Sequence, residues 1–471
     1  MATVPWGFQW RSSKSFIVAC MTIALFSDTF LYGYIVPILS YMLEDRLQLD
    51  SSRTQSLTSA ILAIHGAVAI VTSPIIGHFA DQFSNRKTSL LYSLSASLVG
   101  TILVACAPSL WMLFLGRVLQ GISASAIWIV GLATIANAVG EEHMGKIMGV
   151  VNSFLTAGVI LGPVVSGLLL RVAGYWGTWV APLVVLGLDM IARLVMIESP
   201  QEPKAVDSAS AASTTTSPSE AISEDTALLA EENAAAVTGY QSTSSTGNIP
   251  DLAKHDADLS TTSAFYHAML TNGRVVSALL ISSAASSVLT SFEATLPLHV
   301  RDVFGWGPSV TGAMFFCLEI PSVFMGPLSG WVRDRVGVRM PTTLGLVALA
   351  PLLWLLGVPG DEKFPWASAD TRGYIIYVAC MFGIGAVSPF LSGVGILELT
   401  AVIKEYSAKN PNIFGPNGGY SRAYSICDVA AAVAMMLGPI ISGSLHQLIG
   451  YYYMNLTFGR GNLTWSNDVL Y

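Results

Sequence analysis

Long hydrophobic segments without charge recur along this chain and alternate with short polar segments. A helix needs about 20 mainly apolar residues to cross about 30 Å of hydrocarbon. Eleven segments have that length, near residues 15–43, 55–78, 88–107, 110–137, 145–170, 177–197, 275–299, 309–332, 341–358, 373–401 and 421–449. Because lipid offers no partner for unpaired backbone groups, the pattern predicts an all-α polytopic membrane protein with eleven clear spans.

The hydrophobic pattern resumes with IGYYYMNLTFG, from Ile449, and is then interrupted by RGNLTWSNDVLY. Charged and amide side chains are costly in hydrocarbon. We therefore expect a degenerate twelfth span that ends near residue 459, and an atypical polar tail over 460–471 of the kind that a truncated isoform or a translated intron would produce. Asn455 and Asn462 each begin an Asn-X-Thr acceptor for glycosylation, which needs exposure on the outer side.

Residues 200–273 have a different composition, rich in Ser, Thr, Ala and acidic residues, with too few apolar residues to form a core. We expect a disordered cytosolic linker there, between an N-terminal bundle over 15–199 and a C-terminal bundle over 274–459. Within it, EDTALL, Glu224 to Leu229, matches the acidic dileucine pattern that sorting adaptors bind, and a chance match is the alternative.

Composition and charge agree with a membrane protein. Of 471 residues, 52% are hydrophobic and 11% charged, whereas soluble proteins have about 25% charged residues. Lys and Arg are more frequent in the segments that are cytosolic if residues 1–14 are cytosolic, which supports that orientation. All five cysteines lie in apolar segments, which disfavours a disulfide framework or a metal cluster.

Two motifs occur twice, at the same relative place in each half. LGPVVSG, Leu161–Gly167, returns as LGPIISG, Leu437–Gly443, and GHFADQFSNR, Gly77–Arg86, returns as GWVRDRVGVR, Gly330–Arg339. Internal repeats are common in secondary transporters, whose binding site lies between the repeats near the middle of the membrane. The repeats therefore predict a transporter built from two related halves.

These motifs resemble those of the major facilitator superfamily over nearly the whole chain. The resemblance implies a fold of two six-helix halves around a central cavity, with alternating access. It also implies that the loop motif controls the conformational change, and its residues here are Gly77, Asp81, Arg86, Gly330, Asp334, Arg335 and Arg339. A basic turn that only fixes topology would explain the charges but not both copies.

GVILGPVVSG, residues 158–167, resembles the fifth-span motif that is associated with antiporters in this superfamily. Its defining residues are Gly158, Gly162, Pro163 and Gly167. Glycines permit close packing of helices, and proline frees a backbone hydrogen bond and permits a bend. A kinked helix that serves only packing is the alternative.

Within the superfamily, the chain is similar to the twelve-span drug:proton antiporters that include the vesicular monoamine transporters. The similarity rests on SDTFLYGYIVPILSY in the first span, GRVLQG in the fourth, FEATLPLH in the seventh and YSRAYSICDVAAAVAMMLGPIISG in the eleventh. It implies that Asp28, Glu293 and Asp428 are intramembrane acids and that Arg117 is the fourth-span arginine. His65 stands where the monoamine carriers have a lysine.

Two departures from that pattern separate the chain from the monoamine carriers. Their tenth-span acid is replaced near Ser388, and Glu319 in the eighth span has no counterpart. Monoamine specificity therefore does not carry over. Glu319 could set substrate selectivity or be a paired structural acid.

The intramembrane charges suggest specific roles. Our hypothesis is that Asp28 and Glu293 contact protons or substrate, that Asp428 carries a coupling proton, and that Arg117 holds a neighbouring acid ionised. His65 is either a pH-sensitive partner of Asp28 or a neutral, hydrogen-bonded core histidine.

The sequence thus favours a proton-coupled exporter of drugs or metabolites. One alternative is a facilitator or importer of an organic acid or nutrient, with Arg117 binding the anion. Another is a non-transporting receptor or an inactive truncated isoform. No constellation for catalysis, metal or cofactor binding stands out, so we expect no enzyme activity. The expected partners are a small-molecule substrate, protons and the bilayer, and no nucleic acid. We expect the protein to function as a monomer. The plasma membrane is its expected location, and a vacuolar or vesicular membrane is the alternative.

Overall fold

The computed structural model describes residues 7–80, 86–139, 144–197, 262–409, 413–414 and 420–470, which are mainly helical and contain no strand. The spans of the N-terminal half are, in order, Lys14–Tyr34, Thr54–Ala80, Arg86–Ala105, Leu110–Val139, Met144–Thr178 and Val180–Val195. The seventh to tenth spans are Gly273–Phe304, Pro308–Val336, Arg339–Leu356 and the pair Thr371–Val387 and Val394–Lys409. The eleventh and twelfth spans lie in Tyr420–Leu470 as two helices that are separated at Gly450, whose backbone is not helical.

Ten helices in the described part are long and apolar enough to cross a membrane. The sixth span does not reach that length, because Val180–Val195 has 16 residues where about 20 are needed. It follows a break at Gly174, whose φ of 67° ends the regular helix of the fifth span.

The C-terminal end differs from the sequence-based expectation. The last helix does not stop near residue 459 but continues to Leu470, after the break at Gly450, where φ is 82°. Asn455 is fully buried and Asn462 is 3% exposed. Both side-chain amides donate to the carbonyl four residues earlier, at 2.9 and 3.0 Å. The predicted glycosylation sites therefore lack the exposure that a glycan needs.

The predicted linker extends too far along the chain, because its last part is folded. A helix spans Thr262–Thr271, and its Phe265 and Met269 are fully buried. Phe265 packs edge-on against Phe414 and lies 4.7 Å from the Arg422 guanidinium. These apolar contacts explain why the segment folds. Residues 198–261, including Glu224 to Leu229, lie outside the described residues.

Glycines of the first LGP repeat bring the fifth span close to two other spans. A Cβ added at Gly162 would lie 2.5 Å from the Phe30 carbonyl oxygen of the first span. At Gly167 it would overlap the Pro308 carbonyl of the eighth span. The fifth span therefore contacts the first helix of its own half and the second helix of the other half.

The second copy of the repeat packs in the same way. A Cβ added at Gly438 would overlap the Thr290 hydroxyl of the seventh span, and one at Gly443 would overlap the Ser59 hydroxyl of the second span. The eleventh span thus contacts the first helix of its own half and the second helix of the other half. The sequence repeat is a structural repeat.

One place where the two halves are joined is the end of the bundle that is called the outer end here, because it is opposite the predicted cytosolic side. Arg301 donates to both carboxylate oxygens of Glu44, at 3.0 and 2.9 Å. Gln55 donates to the Ala294 carbonyl at 3.0 Å and contacts His446 at 3.2 Å. All three contacts cross between the halves, so the outer end is closed.

Candidate transport site

Asp28 lies in the middle of the first span and is half-buried. Its Oδ2 accepts a hydrogen bond from the indole Nε1 of Trp128, in the fourth span, at 3.0 Å. Trp128 was not among the predicted site residues. A signal was present, because Trp128 follows Arg117 by about three helical turns and so lies on the same face of the fourth span.

Glu293 lies in the seventh span and is also half-buried. Its Oε2 accepts a hydrogen bond from the Tyr32 hydroxyl at 2.7 Å. Tyr32 stands one helical turn after Asp28, so the first span presents both side chains on one face. The first span therefore bonds to its own half through Asp28 and to the other half through Tyr32.

Asp428 lies near the start of the eleventh span and accepts a hydrogen bond from the Ser73 hydroxyl of the second span at 2.5 Å. Ser73 also lies 3.2 Å from the Ser125 hydroxyl of the fourth span. This contact crosses between the halves, like that of Glu293. Neither serine was among the predicted site residues.

Arg117 is buried, with 1% exposure. It donates to the Gln120 side chain at 3.0 Å and to the Ile61 carbonyl at 3.4 Å. Its Cζ lies 5.5 Å from the centre of the Tyr32 ring, and its Nη2 has no hydrogen-bond partner. In the described part of the chain it forms no ion pair, so any effect on the acids acts through space or through Tyr32.

His65 lies beside Tyr32, with ring centres 5.1 Å apart. It is 4% exposed, and its Nδ1 has no hydrogen-bond partner. Asp28 bonds to Trp128 instead. His65 therefore matches neither expectation in full, since it is a core histidine but Nδ1 is not hydrogen-bonded.

Glu319 lies in the eighth span and is half-buried. Within the described residues it forms neither a hydrogen bond nor an ion pair, and it interacts electrostatically with Glu293. Glu319 is therefore not paired with another side chain of the described residues, as a paired structural acid would be.

The first copy of the predicted gating motif is partly described. Gly77 is buried near the end of the second span, and Arg86 begins the third. Asp81 and the Arg86 side chain lie outside the described residues.

The second copy lies at the end of the eighth span, where Gly330 is exposed and the Asp334 side chain is outside the description. The Arg335 guanidinium lies 4.1 Å from the centre of the Trp331 ring. Arg339 is exposed at the start of the ninth span.

A further arginine of this motif makes the contact between spans. Arg333 donates to the Pro389 and Ser392 carbonyls, at 3.0 and 2.9 Å. It joins the eighth span to the middle of the tenth. Arg333 was not among the predicted gating residues, because the first copy of the motif has Ala80 at that position.

The remaining residues of the fifth-span motif hold the helix that carries Asp28. A Cβ added at Gly158 would overlap the hydroxyl of Thr29, the residue after Asp28. Pro163 packs against Gly33 of the first span, where an added Cβ would be 3.0 Å from its Cδ. The motif thus fixes the position of the first span.

Of the four carboxyl groups, those of Glu293 and Asp428 therefore bond across the surface where the halves meet, whereas that of Asp28 bonds within its own half. Among the described residues, Asp28, Glu293 and Asp428 bond to neutral donors, and no ion pair involves any of the four acids. No group of three or more possible ligands is arranged to hold a metal ion in that part of the chain. The arrangement can exchange protons or bind a cation.

Residues 21–400 match the family described as the Major Facilitator Superfamily. The chain belongs to this superfamily, and it is a transporter and a multi-pass integral membrane protein. The prediction of the family and of its all-helical fold is confirmed.

Known proteins resemble the chain to different degrees. An uncharacterized MFS-type transporter of Schizosaccharomyces pombe is 29% identical over 441 residues, which cover 94% of this chain and 92% of that protein. The class C tetracycline resistance protein of Escherichia coli is 28% identical over 188 residues, 40% of this chain and 46% of that protein. The structure of the human organic anion transporter MFSD10 (TETRAN) has a TM-score of 0.60 at 16% identity, covering 97% of this chain and 99% of that chain. At that identity the structural likeness concerns the fold alone.

Proposed function

We propose that the chain is a proton-coupled exporter of small organic molecules. The observation that carries the proposal is the bonding of Asp28, Glu293 and Asp428 to a tryptophan, a tyrosine and a serine rather than to cations. A neutral donor leaves the charge of a carboxylate uncompensated. Such a group can then take either a proton or a cationic substrate, and their competition couples the two flows in opposite directions.

Similarity to a tetracycline resistance protein supports export of a drug or metabolite. The contacts of Gly158, Gly162 and Pro163 with the first span support a link between the fifth-span motif and the helix of Asp28. The closed outer end supports a carrier that loads its substrate from the cytosolic side. We place this carrier in the plasma membrane, which imaging of a tagged chain would test against a vacuolar or vesicular location.

The proposal is tested by comparing compounds that cells retain and export, using untargeted mass spectrometry. Cells would express the wild type, Asp28→Asn, or Glu398→Gln as a control. Glu398 pairs with Arg274 at 2.9 Å, away from the central acids. We expect at least one compound to leave cells with the wild type or the control but not cells with Asp28→Asn, and its export to stop when the proton gradient is collapsed. Unchanged export by Asp28→Asn at matched surface levels would contradict the proposal.

A facilitator of organic anions is the second candidate, because Nη2 of Arg117 is buried without a hydrogen-bond partner. Vesicles that contain the purified protein distinguish the two. An imposed proton gradient drives uphill movement through an antiporter, whereas a facilitator only equilibrates its substrate. Binding without flux in the same vesicles would instead indicate a receptor.

A further inference from the structure

The contact between Tyr32 and Glu293 joins the two halves inside the membrane. The phenol hydroxyl belongs to the first span and the carboxylate to the seventh, and their oxygens are 2.7 Å apart. Asp28 differs, because its donor Trp128 belongs to the same half. Tyr32 therefore connects a central acid to the relative position of the halves.

The charged and titratable groups around this contact come from several spans. Arg117 of the fourth span lies over the Tyr32 ring at 5.5 Å, and His65 of the second span lies beside it at 5.1 Å. Glu319 of the eighth span and Arg117 act on Glu293 electrostatically. In the described part of the chain, none of them forms an ion pair with Glu293. Tyr32 is thus the group through which Glu293 is bonded to the other half.

We propose that Tyr32 is a positioning residue that keeps the empty carrier closed at its outer end. This inference rests on the proposed proton-coupled function. A hydrogen bond to an ionised carboxylate is roughly twice as strong as one between neutral groups. With Glu293 ionised and unoccupied, the bond to Tyr32 holds the first and seventh spans together. Either a proton on the carboxylate or a cationic substrate beside it weakens the bond and lets the outer end open.

This arrangement would prevent a leak. An antiporter loses coupling when it changes conformation with neither proton nor substrate bound. The bond is strongest in that empty form, so the empty form is the one that it holds closed. Glu44 and Arg301, which form an ion pair nearer the outer end, would separate in the same movement.

The inference can be tested without knowing the substrate, using protons alone. Spin labels would be attached to Ser52→Cys and Glu362→Cys in a cysteine-free background, because both positions are exposed in outer loops of different halves. Double electron–electron resonance on purified full-length protein in lipid nanodiscs would report the distance between them from about pH 8 to about pH 5. We expect the wild type to be closed at the alkaline end and to gain a longer distance as the pH falls.

Tyr32→Phe should show the longer distance already at about pH 8. The ratio of closed to open protein should fall on the order of tenfold, the value of one hydrogen bond to a charged group, and the response to pH should flatten. Tyr34→Phe is the matched control. Tyr34 donates to the Thr178 carbonyl at 2.5 Å within one half, so its loss should leave the pH response unchanged.

Glu293→Gln tests the same bond from the other side and keeps the test decisive if Tyr32→Phe folds poorly. It should also open the outer end at about pH 8, and the double variant should open it no further, because both changes remove one interaction. A Tyr32→Phe protein with the wild-type pH response would overturn the role of Tyr32 alone. A wild type whose distances ignore pH would overturn the proton coupling on which the inference rests.

Discussion

In the N-terminal half, Gly162 packs against the first span and Gly167 against the eighth, while in the C-terminal half Gly438 packs against the seventh and Gly443 against the second. The two halves therefore share their close helix contacts. Backbone packing of this kind depends on residue size at a few positions, and both copies retain those residues.

The buried polar groups differ between the halves. The N-terminal half supplies the donors Tyr32 and Ser73, whereas the C-terminal half supplies the acceptors Glu293 and Asp428. The strength of a hydrogen bond between a donor of one half and an acid of the other depends on the charge of the acid and on the relative position of the halves. The repeat therefore preserves packing, while the polar groups that bond across the interface differ between the halves.

The largest effect should come from a fully buried charge pair of the N-terminal half, whereas the ion pairs of the C-terminal half among the described residues are partly exposed. Asp189 and Arg193 are fully buried, bond to each other at 2.6 Å, and lie in the sixth span. Removing one partner leaves a buried charge without compensation, so Arg193→Met should lower the free energy of unfolding by about 3–5 kcal/mol. Steric trapping in bicelles measures this quantity.

The double variant Asp189→Leu/Arg193→Met is the control, because replacing a buried pair by apolar residues is often nearly neutral. If the single variant were as stable as the wild type, this pair would not be structural. The contrast between a structural charge pair within one half and the acids that bond between the halves would then fail.

The sequence indicated the helical class, the repeated halves and the acids inside the membrane, because hydrophobic length and isolated charges are local properties. It did not indicate that Trp128, Tyr32 and Ser73 bond to those acids. Which side chain faces an acid depends on the rotation of each helix and on the closeness of its neighbours, which a single chain does not encode locally. The same reason applies to His65, for which the sequence left open a place beside Asp28 or in the core, and which lies beside Tyr32.

Alanine substitutions of the repeat glycines Gly162 and Gly438 should lower stability by smaller and unequal amounts. Gly162→Ala forces a methyl group against the Phe30 backbone carbonyl and should cost about 1–3 kcal/mol, as overpacking does. Gly438→Ala meets the Thr290 side chain, which can rotate, and the Ser287 backbone carbonyl at 2.8 Å rather than 2.5 Å, so its cost should be lower. Thermal unfolding in detergent measures both.

Gly187→Ala provides the control for these glycines. It lies within the sixth span with no atom near an added Cβ, and alanine favours a helix over glycine by about 1 kcal/mol. This variant should be at least as stable as the wild type. Equal losses for all three substitutions would mean that packing in the repeats is not specific.

The smallest effect concerns a hydroxyl that each half places on its first helix. Thr29 donates to the Leu155 carbonyl at 3.3 Å, and Thr290 donates to the Ala434 carbonyl at 3.0 Å. Thr→Val at either position keeps the shape and removes the bond, which should cost about 1 kcal/mol. The shorter contact of Thr290 predicts the larger loss of the two in unfolding measurements. Thr29 directly follows Asp28, whereas Thr290 stands three residues before Glu293, so Thr29→Val should alter export more than Thr290→Val. Equal effects on export would mean that the two halves share their chemistry as well as their packing.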